Sequence, residues 1–371
     1  MKLPRRLGIP VLAAVLLGLV AACGGTDAQG TEAEGGSGAA IPAAAKQVEQ
    51  YSSAPTDFPV TAPLGGALPP GTTFALLQCA TPVCAPMGQI LQGAADTLGV
   101  KLQPVNGGVS ASTMQAAMSS IIELRPSAVL VPPVEPAAIR GQLDELHSMG
   151  TPIVSAGMVG VGDYPFDANL LGDENHALVG QLLADWAMAE AGENSNFVFY
   201  NNPELSFSAV ILTGFKKEVA SLCGSCSVRV TDVSIADIGT KAPDLVVSDL
   251  QRNPDTDVAV FATSETSTGL PAALKVAGIH IKTVGYGPSP GGLQDIKSGG
   301  ITAGLAIDFG LAYWTQVDIA ARLVAGEKIP TGEGNIGAMQ FLTADDIDFD
   351  PTGGWTAFPD FADRFATLWK S

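Results

Sequence analysis

Short apolar runs alternate with segments of helical period from about residue 72 to residue 330, and this alternation constrains the fold more than any other feature. In the first half, strand-like runs such as 74–78 and 128–131 recur about every 28 residues, close to the size of a βαβ unit. A second block with the same alternation follows Gly172. The pattern predicts an α/β fold of two similar, doubly wound parallel-sheet lobes.

The predicted sheets also indicate where a ligand would bind. Strands are predicted at 100–106, 151–155, 196–200, 227–233, 258–262, 282–286 and 301–308, and helices at 87–98, 110–123, 175–191, 206–222 and 312–325. Open parallel sheets bind ligands at the carboxyl ends of their strands. We therefore expect the functional residues in a cleft between the lobes.

The start of the chain has the features of an export signal. Three basic residues precede an apolar stretch at about 7–20, which is short against the roughly 20 residues that span a bilayer. Residues 1–22 are therefore predicted to be a signal peptide. The following Val20-Ala21-Ala22-Cys23 resembles the bacterial lipobox. That resemblance implies that Cys23 becomes the lipidated first residue, with palmitate among its acyl groups, on the extracytoplasmic face of the cell membrane. An ordinary signal peptide with a chance cysteine is the alternative.

The segment after Cys23 has the composition of a linker. Residues 24–38 lack large apolar side chains, residues 41–51 could form a short helix, and proline and glycine recur up to Gly71. We expect a flexible tether at 23–71. The N-terminal lobe is expected to comprise 72–170 plus 309–335, and the C-terminal lobe 171–308 plus 336–371.

Composition and charge restrict the partners. Hydrophobic residues make up 46% of the chain and charged residues 15%, which suits a sizeable core. The net charge is −18, and it becomes −21 once the three basic residues of the signal are removed. Such an acidic surface repels phosphate backbones, so nucleic acid is not expected as a partner.

The cysteines beyond Cys23 form two closely spaced pairs. Cys79 with Cys84 and Cys223 with Cys226 are most simply two local disulfides in an exported protein. Metal binding by the first pair lacks a nearby third ligand. The second pair has the spacing of a redox motif, but it follows a predicted helix, and the carboxyl end of a helix disfavours a thiolate.

Short motifs in several predicted elements together resemble the type I periplasmic solute-binding proteins, in the ribose-binding-like branch that serves ABC importers. The resemblance covers 72–330 and implies two lobes joined by a three-crossover hinge that closes around a small solute. The motifs are Gln92-Gly93-Ala94-Ala95, Gly99-Val100, residues 139–146 and 149–154, Gly172-Asp173-Glu174, Thr213-Gly214-Phe215, Ala262-Thr263-Ser264-Glu265, Val284-Gly285-Tyr286-Gly287 and residues 326–330.

Several positions depart from the sugar-binding members of that family. Their Asp-Arg after the fourth strand is Ser155-Ala156 here, and the arginine expected near 209–213 is missing. Their Asn-Asp is Ser264-Glu265, and their Gly-Phe-Asp is Gly285-Tyr286-Gly287. Because guanidinium groups bind carboxylates and sugar hydroxyls directionally, their loss argues against an anionic solute.

The remaining polar and aromatic residues at predicted strand ends suit a neutral or cationic solute with an apolar face. Some of them are equally compatible with turns and helix caps, Asn201-Asn202-Pro203 above all. The candidate ligand-binding residues are Gln78, Thr81, Ser155, Tyr200, Asn201, Asn202, Glu204, Ser264, Glu265, Tyr286, Asp308 and Phe309.

We find no arrangement in the sequence that predicts an enzyme, a metal site or a cofactor. Gly287-Pro-Ser289-Pro-Gly291 has the hydrolase spacing, but its second proline removes the amide that should line an oxyanion hole. Histidines 147, 176 and 280 are scattered. The sequence thus predicts a monomeric, lipid-anchored protein that delivers a small neutral solute to an ABC permease. A ligand-sensing lipoprotein that presents its closed state to a membrane kinase or chemoreceptor is the alternative.

Overall fold

The computed structural model describes residues 39–79, 84–108, 110–329 and 334–370, without the side chains of Cys79, Cys84 and Ala85. The predicted signal peptide, the lipidation of Cys23, the candidate Thr81 and the predicted Cys79–Cys84 disulfide all lie outside the described part.

The strands and helices alternate along the chain as the sequence pattern predicts. The strands are β1 Thr73–Cys79, β2 Lys101–Gly108, β3 Ala128–Val131, β4 Ile153–Ala156, β5 Ala168–Leu170, β6 Asn196–Asn201, β7 Ser227–Asp232, β8 Val258–Phe261, β9 Lys282–Tyr286, β10 Ala303–Ile307 and β11 Met339–Leu342. The helices are α1 Pro42–Gln50, α2 Cys84–Leu98, α3 Ala111–Leu124, α4 Arg140–Ser148, α5 Asp173–Ala191, α6 Ser206–Leu222, α7 Ala242–Arg252, α8 Leu270–Ala277, α9 Pro290–Lys297, α10 Phe309–Val324 and α11 Phe361–Lys370.

Two separate sheets form the centres of two lobes. The first has the strand order β2-β1-β3-β4-β5, and its strands are parallel. The second has the order β11-β10-β9-β8-β6-β7, and its strands are parallel except for the edge strand β11. Every residue of β3, β4, β8 and β10 is buried, as expected for central strands covered by helices on both faces.

Three crossovers connect the lobes. The chain leaves the first sheet at residues 171–172 and returns at Asp308, between β10 and α10. It crosses again between α10 and β11, over residues 325–338, of which 330–333 are not described. Helix α10 belongs to the first lobe, because Gln316 donates from Nε2 to the carbonyl of Val154 in β4 at 2.9 Å.

Helices α5 and α6 of the second lobe approach closely through glycine. A Cβ atom on Gly180 of α5 would lie 2.1 Å from the carbonyl oxygen of Ile211, and one on Gly214 of α6 would lie 2.4 Å from that of Ala177. The two backbones can therefore be this close only because both positions lack a side chain.

Residues 39–71 contradict the expectation of a flexible tether. Helix α1 packs against α5, and Ile41, Ala44, Val60 and Leu64 are buried. The sequence in this segment is rich in proline and glycine, and its few apolar residues are spaced too widely to indicate a core. They are buried because the folded lobes provide the surfaces that receive them.

The C-terminal segment also differs from its expected assignment to the second lobe. Strand β11 pairs with β10 of the second sheet, but α11 contacts α2 and α10 of the first lobe. Its Phe365 is fully buried, and Trp314 of α10 stacks on Trp369 with ring centroids 5.5 Å apart. Residues 336–370 therefore contribute to both lobes.

Two further observations concern the cysteines and the helices. Cys223 and Cys226 form a disulfide directly after α6, which confirms that predicted pair. No helix within the described residues is long and apolar enough to cross a bilayer.

Candidate functional site

The candidate site lies where the carboxyl ends of the parallel strands meet the crossovers. At this end, β9 finishes at Tyr286, β10 leads through Asp308 into α10, and β5 leads through Gly172 into α5. The first turns of α5 and α10 therefore lie beside the strand ends of the second sheet.

The first turn of α5 carries a buried histidine. The ring of His176 stacks on Phe207 of α6 with centroids 4.9 Å apart and meets Tyr286 edge-on at 6.1 Å. Its Nδ1 lies 3.0 Å from the carbonyl oxygen of Gly172. Burial lowers the pKa of His176 to about 4, so the imidazole is neutral near pH 7.

A second pair of rings comes from the first turns of α10. Phe309 and Tyr313 stack with centroids 6.1 Å apart, and 37% of Phe309 is exposed. A Cβ on Gly287 would lie 3.4 Å from the Phe309 ring, which places this pair against the end of β9. Burial raises the pKa of Tyr313 to about 12. Burial also raises the pKa of Tyr286, and the nearby Tyr313 adds a smaller contribution in the same direction.

The two groups together form one surface, which we call the ring cluster. Because Tyr286 contacts His176 and lies near Tyr313, rings from both lobes meet at the hinge. The ring cluster consists of His176, Phe207, Tyr286, Phe309 and Tyr313.

One carboxylate follows β8, the strand next to β9. Glu265 follows β8 and is partly exposed; burial of its carboxyl group raises its pKa, and a hydrogen bond from the Ser289 hydroxyl opposes that rise. Ser264 lies against β9, because a Cβ on Gly285 would be 2.8 Å from its Oγ. Ser264 thus lies at the end of β9, and Glu265 follows it in the chain.

Asn202 is fully buried and its polar groups are used within the protein. Its Nδ2 donates to the carbonyl of Val233 at 2.9 Å, and its Oδ1 accepts from Thr266 at 3.0 Å. Asn201 donates to Asp232 and accepts from Ser208, both at 2.7 Å. These two candidates fix the loop after β6, as the turn interpretation predicts.

Ser155 and Asp308 are also engaged. Ser155 is fully buried and donates to Oδ1 of Asn169 at 2.7 Å. Oδ1 of Asp308 accepts from the backbone N–H of Leu311 and caps α10, while Oδ2 accepts from Thr356 and Ala357. Asp308 therefore holds the C-terminal segment to the second crossover.

The remaining candidates have other surroundings. Tyr200 is fully buried, stacks on Phe261 and donates to Asp249 at 2.9 Å, so it belongs to the core on the α7 side. Glu204 is exposed and accepts from Ser234. Gln78 lines a cavity of about 240 Å³ with residues of α2 and β2.

A hinge residue beside the ring cluster was not predicted. Asn175 is fully buried, and its Oδ1 accepts from the backbone N–H of Gly337 at 2.9 Å. Its Nδ2 has no hydrogen-bond partner among the described residues, although the side chain lies near Tyr286. Asn175 thus joins the third crossover to the first turn of α5.

The described residues contain no group of three His, Cys, Asp or Glu side chains that could hold a metal ion.

Comparison with known proteins identifies the fold and the family. The family model described as periplasmic binding protein domain matches residues 74–328. The chain belongs to this family. The two-lobed parallel-sheet architecture described above is its type I fold. A search of curated proteins finds no match.

Solved structures similar to this family member have low sequence identity. A 5-methylthioribose transporter solute-binding protein from Thermotoga lettingae has a TM-score of 0.67 and 16% identity, covering 83% of this chain and 99% of that one. A Mycobacterium smegmatis protein in complex with β-D-fucofuranose has a TM-score of 0.63 and 18% identity, and the match covers 81% of this chain and 97% of that one. A Bacteroides fragilis protein described as a LacI transcriptional regulator has a TM-score of 0.67 and 16% identity, and the match covers 75% of this chain and 98% of that one. At these identities the likeness shows the fold alone.

Proposed function

We propose that this protein captures a small neutral solute with hydroxyl groups and an apolar face in the cleft between its lobes. The observation that carries the proposal is the ring cluster, to which both lobes contribute. The partly exposed Glu265, which follows the neighbouring strand β8, is the polar group that we propose acts with it. Aromatic rings cover the apolar face of a ligand, and a few polar groups orient it. Solved structures of the same fold contain allitol, 5-methylthioribose and β-D-fucofuranose, which are solutes of this class.

The proposed mechanism is closure of the hinge. A solute that contacts both lobes binds the closed form more tightly than the open form, and so shifts the population towards closure. The closed monomer then delivers the solute to an ABC import permease. Cys23 carries the lipid that keeps the protein at the extracytoplasmic face of the membrane. Mass spectrometry of the mature amino terminus, with and without Cys23→Ser, tests the anchor separately.

The binding site is tested by calorimetric titration of the purified protein with 5-methylthioribose, D-fucose, D-tagatose and allitol. For a solute that binds, we expect Phe207→Ala to weaken binding at least tenfold, since it removes the ring stacked on His176. Phe349→Ala is the matched control. Phe349 lies at the opposite end of α9 from Glu265. Its carbonyl accepts a hydrogen bond from Lys297 in the last turn of α9, whereas Ser289, near Glu265, caps the first turn. Equal affinities in the two variants would contradict the proposed site.

The effect of Glu265→Gln on affinity distinguishes a neutral solute from a cationic one. For a neutral solute, Glu265→Gln keeps a hydrogen-bonding side chain and should weaken binding by about tenfold or less. A cationic solute would lose its charge partner, and the loss would be larger and sensitive to salt. Titrations at two salt concentrations separate these outcomes.

A further inference from the structure

The segment 51–65, which we call the strap, contacts both lobes outside the three crossovers. Its first end lies on the second lobe, where the backbone N–H of Phe341 in β11 donates to the carbonyl of Tyr51 at 2.7 Å. Gln340, also in β11, donates to the carbonyl of Ser52 at 3.1 Å. Helix α1, just before the strap, packs against α5 of the same lobe.

The other end of the strap lies on the first lobe. Arg322 of α10 donates to the carbonyl of Ala62 at 2.6 Å and to that of Pro63 at 3.2 Å. The arginine is 4% exposed, and its Nε is 2.6 Å from Oδ2 of the fully buried Asp318. Glu327 accepts from the backbone N–H of Gly65 at 2.6 Å. Because Arg322 and Asp318 are buried and paired with each other, this end of the strap is firmly fixed.

The middle of the strap is held by the C-terminal segment. The ring of Phe58 meets those of Phe358 and Phe365 at 5.4 and 5.5 Å, and the Arg364 guanidinium lies 5.0 Å from its centroid. The C-terminal segment is itself bound at the hinge, since Thr356 and Ala357 donate to Asp308. The strap therefore spans the hinge with an anchor at each end and one between them.

We propose that the strap is a mechanical stop that limits how far the two lobes open. In this proposal, opening of the lobes moves β11 away from α10. A segment anchored on both elements can then extend only by the length of its free residues. Between Ser52 and Phe58 that length is at most about 20 Å, at 3.3–3.6 Å per residue. This proposal needs the two-lobed fold but no particular solute, so it can fail or hold independently of the proposed function.

The test lengthens the strap and leaves its anchors in place. Six residues, Gly-Ser-Gly-Ser-Gly-Ser, are inserted between Ser53 and the following alanine, and they add up to about 20 Å of reach. The control is the same insertion between Pro254 and Asp255, an exposed turn of the second lobe. Small-angle X-ray scattering of the solute-free full chain measures the radius of gyration, which is about 20 Å for a folded chain of this size.

We expect the strap insertion to raise the radius of gyration by roughly 1 Å over the control, about 5% of the size expected for the folded chain. Phe58→Ala releases the middle anchor alone and should cause a smaller increase in the same direction. If the insertion variant does not fold, the radius of gyration of Phe58→Ala tests by itself whether the strap limits opening. Equal radii in the strap insertion, the control insertion and Phe58→Ala would show that the strap is a static brace and overturn the proposal.

Discussion

At the scale of single residues, polar side chains at strand ends have two different roles. Asn202, Ser155 and Asp308 use their polar atoms in hydrogen bonds that fix loops and crossovers, whereas Glu265 is partly exposed after β8. The sequence places all four at strand ends and cannot separate the roles, because partners such as Val233 for Asn202 and Thr356 for Asp308 lie 31 and 48 positions away. Direct solute contact by Glu265, Ser264, Tyr286 and Phe309 stays a prediction.

The direction of a strand side chain explains another difference. Tyr200 is next to last in β6, and successive side chains of a strand point to opposite faces of the sheet. Its ring therefore enters the core on the α7 side and not the cleft. His176, Phe207 and Tyr313 were missed because they lie on helices. Aromatic residues and histidines near the start of a helix that follows a strand are the sequence signal that could have identified them.

A buried carboxyl in α5 makes stability depend on pH. Burial and the charge of Glu218 raise the pKa of Asp185 from 3.8 to about 7, and its Oδ1 has no hydrogen-bond partner among the described residues. Between these pH values the folded protein holds a proton that the unfolded chain has released, so stability falls as pH rises from about 4 to about 7.

We expect Asp185→Asn to raise the free energy of unfolding by about 2 kcal/mol at pH 8, because it removes the cost of ionising a buried group. At pH 4 the gain should largely disappear. Denaturant unfolding at the two pH values measures the effect, and an equal gain at both would contradict this explanation.

At the scale of elements, the sequence predicted the main strands and helices closely and missed the short ones. Strand β3, strand β9 and helix α6 have the predicted bounds. The sequence did not predict strands β5 and β11, which are defined by their pairing with β4 and β10. Such pairing is a tertiary property.

The close contact between α5 and α6 gives a test at this scale. We expect Gly180→Ala to destabilise the protein by about 1–3 kcal/mol, because its methyl group would meet the Ile211 carbonyl. Gly141→Ala in the exposed part of α4 is the control. A Cβ there has no neighbour within 4 Å, so the change should be neutral or stabilise by up to about 1 kcal/mol. Thermal unfolding of both variants checks this, and equal losses would show that helix packing is not the cause.

At the scale of the whole molecule, the hinge has more connections than the three crossovers. The strap and residues 343–360 both run between the lobes. The strap is anchored on α10 through Arg322, and residues 343–360 are anchored on Asp308, the N-cap of α10. The net charge of −18 favours solubility but contains no information on this arrangement. Movement of the lobes must therefore deform the strap as well as the crossovers.

Closure itself is the prediction at this scale. With a solute from the calorimetric panel bound at saturation, we expect the radius of gyration to fall by roughly 1 Å, because the lobes approach each other. Scattering measured across a titration should show the decrease with the same midpoint as calorimetry. An unchanged profile at saturation would rule out the hinge mechanism.

The sequence alone determined the α/β class, the order of the main elements and the family resemblance, because these follow from apolar periodicity and local turn signals. It also indicated the Cys223–Cys226 disulfide, whose partners are three residues apart. Only the tertiary structure decided which strand-end residues surround the ring cluster, and that residues 39–71 pack on the lobes. The reason is physical: hydrogen bonds such as Arg322 to Ala62 join residues 260 positions apart, and nothing local in either segment records the other.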